Sequence, residues 1–177
     1  MPGTATLQDR YRQAIGRFAT GVTVITSRTG DRPAGMTASA VASLSLDPPM
    51  LLVCVNNRVP THRALESSRR FGVNVLGEGD EELALRFARP AEDKFAGLEV
   101  SFEHDVPLLQ RAIARFVCDV HERLPGGDHS IFIGAIRHCE HAAGRRPLLY
   151  FASTFGGIHQ VDDALGRSAE LWAMTGM

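Results

Sequence analysis

The sequence predicts a mainly β protein, an antiparallel β-barrel with peripheral helices, and three observations carry that expectation. About seven short stretches rich in β-branched and aromatic residues recur at close spacing. Glycine, proline and aspartate clusters punctuate them. The few helical patterns sit between or before these stretches without the regular strand-helix alternation that builds a parallel sheet.

Leu7, Tyr11, Ala14, Ile15 and Phe18 recur at spacings of three and four, which predicts an amphipathic helix over Leu7 to Phe18 with Thr6 as its cap. Val22-Thr23-Val24-Ile25-Thr26 is a β-branched strand, and the turn chemistry from Arg28 to Pro33 leads it into a hairpin with the stretch around Met36. Thr37, Ser39, Ser43 and Ser45 then fall at even spacing. In a strand residues two apart share a face, so this spacing predicts a row of hydroxyls on one surface with Met36, Ala38 and Ala40 on the other. Such a row suits a polar ligand as well as a solvated edge strand.

Asp47-Pro48-Pro49 breaks the chain, because two prolines remove two backbone donors. The run from Met50 to Val55 is apolar throughout and predicts a strand buried on both faces. Pro60 opens a helix over Thr61 to Ser68, which places Thr61 at a helix N-terminus. Phe71, Val73 and Val75 mark a further strand. Asp80 to Arg89 reads as a helix capped by Asp80 and stopped by Pro90, followed by a loop that carries Lys94 and Phe95. From Ile113 to Glu122 apolar Ala114, Phe116, Cys118 and Val120 alternate with Arg115, Asp119 and His121. Pro125-Gly126-Gly127-Asp128 turns the chain into a returning strand over Ser130 to His138, and Leu148 to Ala152 forms the last one. A polar tail occupies 158–177.

The 177 residues are expected to form a single domain over 1–177, with its core at about 11–155. A formal net charge of -1 argues against nucleic acid as a partner. No apolar run is long enough to cross a bilayer and the N-terminus has no signal-like apolar stretch, so no membrane partner and a cytoplasmic location are expected. Three cysteines without a C-x-x-C pair suggest neither disulfides nor a zinc knuckle, and Cys54 and Cys118 read as core. His138 and His141 lack a third ligand, so no metal is expected. Glycine fingerprints for dinucleotides, phosphate loops and the serine-hydrolase elbow are all missing from the sequence.

Four motifs in order, Ala14-Ile15-x-Arg17-Phe18-x-Thr20-Gly21-Val22-Thr23-Val24-Ile25-Thr26, Gly35 to Pro49, Arg86-Phe87-Ala88 with Asp93-Lys94-Phe95, and Gly127-Asp128-His129, resemble the short-chain flavin reductases. These are the reductase components of two-component flavin-dependent monooxygenases. The likeness runs from about Tyr11 to Phe155. It implies a split β-barrel that forms a homodimer and binds FMN, or FAD, near the subunit interface. It also implies hydride transfer from NADH or NADPH to the flavin, and delivery of reduced flavin to a separate monooxygenase.

Carried over by position, the resemblance puts Thr37, Ser39 and Ala40 along the flavin ring, with Ser45 and Leu46 at the same pocket. Val55 and Asn56 match positions near the ribityl chain. Thr61 matches the phosphate-binding hydroxyl, in agreement with its expected place at a helix N-terminus, where free N–H groups favour an anion. Lys94 and Phe95 match a pair that closes over the flavin and its phosphate. His129 matches a histidine on the nicotinamide side, where an imidazole positions the ring while hydride transfer itself needs no general base. One departure stands out: Thr37-Ala38-Ser39-Ala40 replaces the family's frequent Thr-x-Ser-Ser, which removes a hydroxyl and leaves the choice between FMN and FAD open.

Two other classes fit parts of the pattern. A flavin carrier without catalysis could keep Thr37, Ser39 and Thr61, but would have no use for a Gly127-Asp128-His129 turn that serves a second ligand. A flavin-dependent oxidase or monooxygenase acting on its own substrate would hold its flavin tightly and oxidise NADH slowly unless flavin were added.

Overall fold

The computed structural model describes residues 5–158, and the expected tail beyond Ile158 lies outside them. Among the described residues there are three helices and twelve strands: α1 (Leu7–Ile15), β1 (Thr20–Gly21), β2 (Thr23–Thr29), β3 (Arg32–Ala38), β4 (Val41–Leu46), β5 (Pro49–Asn56), α2 (Pro60–Ser68), β6 (Arg70–Val75), α3 (Glu81–Ala88), β7 (Val100–Glu103), β8 (Val106–Leu109), β9 (Ala114–Gly126), β10 (His129–His141), β11 (Leu149–Phe151) and β12 (Thr154–Gly156). The mainly β expectation holds, with more strands than the sequence pattern showed. The additional ones are short or polar, and such segments carry little periodicity.

Seven strands form one antiparallel sheet in the order β3-β2-β6-β9-β10-β5-β4. Its two outermost strands, β3 and β4, are joined by Ser39 and Ala40 alone. Two residues cannot span an open sheet, so the sheet curls until its edges meet. No ladder joins β3 to β4 among the described residues; Cys54 N of β5 donates to Ala40 O at 3.0 Å, which carries the β4-β5 ladder up to the corner. The result is a barrel split along one seam. Its interior is filled from every wall by Ile25, Ala38, Val53, Phe71, Cys118 and Phe132, among others.

Strand β2 shows why a β-branched run is needed. Ile25 enters the barrel interior, while Val22 and Val24 face a second core made by Leu83, Ala84 and Phe87 of α3 with Leu76, Leu109 and Leu148. Both faces are dry, and a strand buried on both faces favours uninterrupted Val, Ile and Thr. A third small cluster places Val117 against Val106 and Leu108 of the β7-β8 hairpin.

Several local expectations are corrected. Helix α1 has its capping box, with Asp9 N donating to Thr6 Oγ1 at 3.2 Å and Thr6 N to Asp9 Oδ2 at 3.1 Å. It ends at Ile15, however, and none of its residues is buried; Leu7, Tyr11 and Phe18 are more than 60% exposed. Amphipathic spacing predicts a helix with an apolar stripe, but it does not say that this chain covers the stripe.

Strand β5 buries Leu51, Val53 and Val55, whereas Met50, Leu52 and Cys54 on its other face are half-exposed. Cys54 is therefore not core, while Cys118 is, and its burial pushes the thiol up to about 12. The even hydroxyl row is broken by the corner after Ala38 and by an irregular register between Ser43 and Ser45, so it does not form a single face. Asp80 precedes α3 but makes no side-chain cap. Its fully buried carboxylate instead accepts from Gly77 N and meets Arg111 and Arg145 at 2.8 and 2.9 Å. That arrangement ties three loops together, and its ring of charged donors compensates the burial.

Candidate functional site

Two cavities flank the β3-β4 corner. The first, of about 360 Å³, lies between β3, the start of α2 and the loop after α3, and is lined by Met36, Thr37, Thr61, Phe87, Lys94 and Phe95, among others. Helix α2 contributes its N-terminus to this cavity. Pro60 occupies the first turn, and the N-cap Val59 provides no side-chain acceptor. Thr61 is 2% exposed. Pro60 has no N–H and His62 N donates to Val59 O at 3.1 Å, so the amide and hydroxyl of Thr61 are the groups this helix start offers to an anion.

Lys94 reaches the same cavity from the loop after α3, held by bonds from its Nζ to Phe87 O at 2.9 Å and Gly35 O at 3.2 Å. Partial burial lowers its pKa from the ordinary lysine value. Phe95 stands edge-on to Phe87 with ring centroids 5.0 Å apart, so the two rings wall the cavity. Gly35 is needed for this packing, since a β-carbon there would lie 2.6 Å from the Phe87 ring and 3.2 Å from that of Phe95. Thr37 Oγ1 gives its proton to Ala84 O of α3 at 2.5 Å, which leaves its lone pairs as acceptors.

The second cavity, of about 820 Å³, opens on the other side of the corner. It brings Ser39 and Ala40 together with Leu52 and Cys54 of β5 and with Ile15 and Phe18 beyond and at the end of α1. Its wall is mostly apolar and is built from the uncovered faces of α1 and β5.

The remaining expected residues lie elsewhere. Asn56 and His129 face each other as register partners at the end of the β5-β10 ladder. Asn56 Oδ1 accepts from Arg58 N at 2.9 Å, and His129 Nδ1 contacts Asp128 Oδ1 at 2.7 Å. The Asp128 carboxyl is lowered chiefly by that bond to His129. His129 is the first residue of β10, half-exposed and outside both cavities. Val55 is fully buried in the barrel interior, so its side chain cannot reach a ligand in either cavity. Ser45 and Leu46 sit on β4 away from both, with Leu46 two-thirds exposed.

Sequence reasoning missed Phe87 and Met36 as walls of the first cavity, and Cys54, Leu52 and Tyr150 as walls of the second. Apolar side chains at a cavity rim carry the same pattern as core residues, so no sequence signal separates them. No cluster of metal-ligating side chains is present among the described residues.

A split antiparallel barrel with an uncapped helix start, a lysine and two aromatic rings around one cavity suits an aromatic ligand with an anionic end. Residues 15–159 match the flavin reductase like domain, and the chain belongs to this family of oxidoreductases. It is 39% identical over 160 residues to the reductase component of a 4-nitrophenol 4-monooxygenase/4-nitrocatechol 2-monooxygenase of Rhodococcus opacus, covering 90% of this chain and 86% of that one. It is 38% identical to the stachydrine N-demethylase reductase subunit of Rhizobium meliloti, over 71% of this chain and 55% of that one. Among solved structures, the NADH:FAD oxidoreductase of Streptomyces globisporus in complex with NAD and FAD fragments superposes with a TM-score of 0.82 at 33% identity, over 92% of this chain and 99% of that one.

Proposed function

We propose that this flavin reductase takes hydride from NADH onto FMN and passes the reduced flavin to a separate monooxygenase component. The observation that carries the proposal is the first cavity, whose lining combines Thr61 at an uncapped helix start and Lys94 with the rings of Phe87 and Phe95. That arrangement suits a flavin phosphate beside an aromatic ring. Hydride transfer is the chemistry that nicotinamide and flavin supply when bound, so the protein's part is to bind and align them.

In this reading Thr61 and Lys94 hold the phosphate, Thr37 accepts from the ring's polar edge, and Ser39 and Ala40 extend the surface toward the second cavity. Asn56 lies near the ribityl chain, and His129, its partner across the ladder, serves the nicotinamide side. Val55, Ser45 and Leu46 act at most through backbone or across an interface.

The uncovered stripe of α1, the outer face of β5 and exposed Leu44 and Leu46 favour a homodimer that closes the second cavity. A reaction that draws on NADH favours the cytoplasm, and no helix among the described residues is long and apolar enough to cross a membrane. FAD is the second reading, because the Streptomyces globisporus relative is an NADH:FAD oxidoreductase. The test is steady-state oxidation of NADH and NADPH with and without added FMN, FAD and riboflavin. Turnover that requires added flavin, with FMN the best acceptor, is expected. Turnover independent of added flavin would favour an oxidase with resident flavin, and none under any condition would favour a carrier.

A further inference from the structure

Behind the Gly127-Asp128-His129 turn lies a buried polar chain that none of the expected site residues uses. His62, one residue after Thr61 on α2, is 4% exposed, and Ser130, one residue after His129 on β10, is 1% exposed. His62 Nε2 and Ser130 Oγ lie 2.9 Å apart. Glu66 Oε2 is 3.4 Å from His62 Nδ1, and Arg123 of β9 contacts both Glu66 Oε1, at 3.2 Å, and Ser130 Oγ, at 3.1 Å. The Phe132 ring packs edge-on to the imidazole at 5.3 Å.

A glutamate, a histidine and a serine in sequence have the residue types of a nucleophilic relay, but the protons run the other way. Asn57 Nδ2 donates to Gly127 O, which fixes Asn57 Oδ1 toward Ser130 as an acceptor at 2.9 Å. Ser130 must therefore give its one proton to Asn57. Its two lone pairs remain for Arg123 Nε–H and for His62, so His62 carries hydrogen on Nε2 and donates. A serine that is buried and already a donor to an amide is no nucleophile. It is a relay of position. Asn57 in turn reaches the turn twice, through Nδ2 to Gly127 O at 3.3 Å and through its amide N to Asp128 O at 3.0 Å.

We propose that His62 is a positioning residue: by orienting Ser130 and through it Asn57, it fixes the Gly127-Asp128-His129 turn relative to the start of α2, and so holds the nicotinamide-side histidine in register with the phosphate-side Thr61. The kinetic consequence rests on the proposed role of His129, whereas the ordering of the turn does not.

The experiment compares wild type, His62→Leu, His62→Gln and Ser130→Ala by peptide-resolved hydrogen exchange over residues 124–130 and by steady-state kinetics with FMN and NADH. Glutamine keeps an N–H donor near the place of Nε2, and leucine does not. His62→Leu is expected to speed exchange in the turn about 2-fold to 13-fold, the range for losing one neutral hydrogen bond, and to raise KM for NADH by a similar factor with kcat and FMN affinity nearly unchanged; Ser130→Ala, which also removes the bonds to Asn57 and Arg123, should act in the same direction and at least as strongly. His62→Gln should restore most of both. Should His62→Leu fail to fold, Ser130→Ala carries the same comparison.

Turn exchange at the wild-type rate in these variants overturns the proposal, as does failure of glutamine to restore it where leucine accelerates it. If exchange responds as expected while His129→Ala leaves NADH kinetics untouched, the relay stands and the placement of nicotinamide at His129 falls.

Discussion

The two cavities on either side of the β3-β4 corner are built on opposite plans. The first is framed within this one chain by buried Thr61 on α2, Phe87 on α3 and Gly35 on β3, and by partly buried Lys94 anchored to two carbonyls. The second is more than twice as large and is walled by side chains that this chain leaves half-open, from α1 and the outer face of β5. The difference teaches that the first cavity takes its walls from packing within one chain, while the second is walled by apolar faces that this chain leaves open.

The largest expected effect breaks the second plan. A charge beside the uncovered stripe and another on exposed β4, Phe18→Asp with Leu46→Asp, should convert a dimer to monomer in sedimentation velocity and remove most NADH:FMN turnover, with the barrel still folded. A double variant that remains dimeric and active would make both cavities self-sufficient and erase the contrast.

The next disturbs the first plan from inside. Gly35→Val would drive side-chain atoms into Phe87 and Phe95, at a cost of about 1 to 3 kcal/mol of stability for overpacking. Thermal unfolding and FMN titration check it, and both should worsen. Unaltered FMN affinity in a destabilised protein would separate the ring wall from the flavin site.

Thr61→Ala sharpens the claim that this cavity reads an anion. FMN binding should weaken by about 1.5 to 3 kcal/mol, the range for a hydrogen bond to a charged group, while riboflavin binding stays nearly constant. Equal losses for both flavins would take the phosphate out of this cavity. His129→Ala is expected to be milder, about 0.5 to 1.5 kcal/mol in kcat/KM for NADH with little change in FMN binding. Stopped-flow reduction at several pH values distinguishes this from acid-base catalysis, which would cost far more.

The smallest effect is a pH trend. Burial lowers the Lys94 pKa below the ordinary 10.5, so the ammonium that favours a phosphate is lost earlier on raising pH than an exposed lysine would be. FMN affinity should therefore fall as pH climbs through the alkaline range, with riboflavin flat, and Lys94→Met should abolish the trend.

How much of this was legible in the sequence differs by residue. Thr61 could be placed because Pro60 marks a helix start whatever the tertiary context, and the Gly127 turn because local chemistry dictates it. The even spacing of Thr37, Ser39, Ser43 and Ser45 misled, since period-two reasoning assumes one continuous strand and the chain turns a corner at Ser39 and Ala40. Val55 was expected near a ligand and lies instead in the barrel interior, where a one-residue step along β5 decides between core and cavity.

The sequence alone determined the mainly β class, the helix starts at Thr6 and Pro60, the β-branched strand that both cores share and, through its motifs, the flavin reductase family. These depend on local backbone preference, on periodicity or on the order of short segments, all of which are written along the chain. Tertiary structure decided that the apolar stripe of α1 stays uncovered, that β5 has one wet face, and that His62 and Ser130, 68 residues apart, share a hydrogen bond. Those outcomes follow from which strands become neighbours when the sheet curls, and no local pattern records a contact between distant segments.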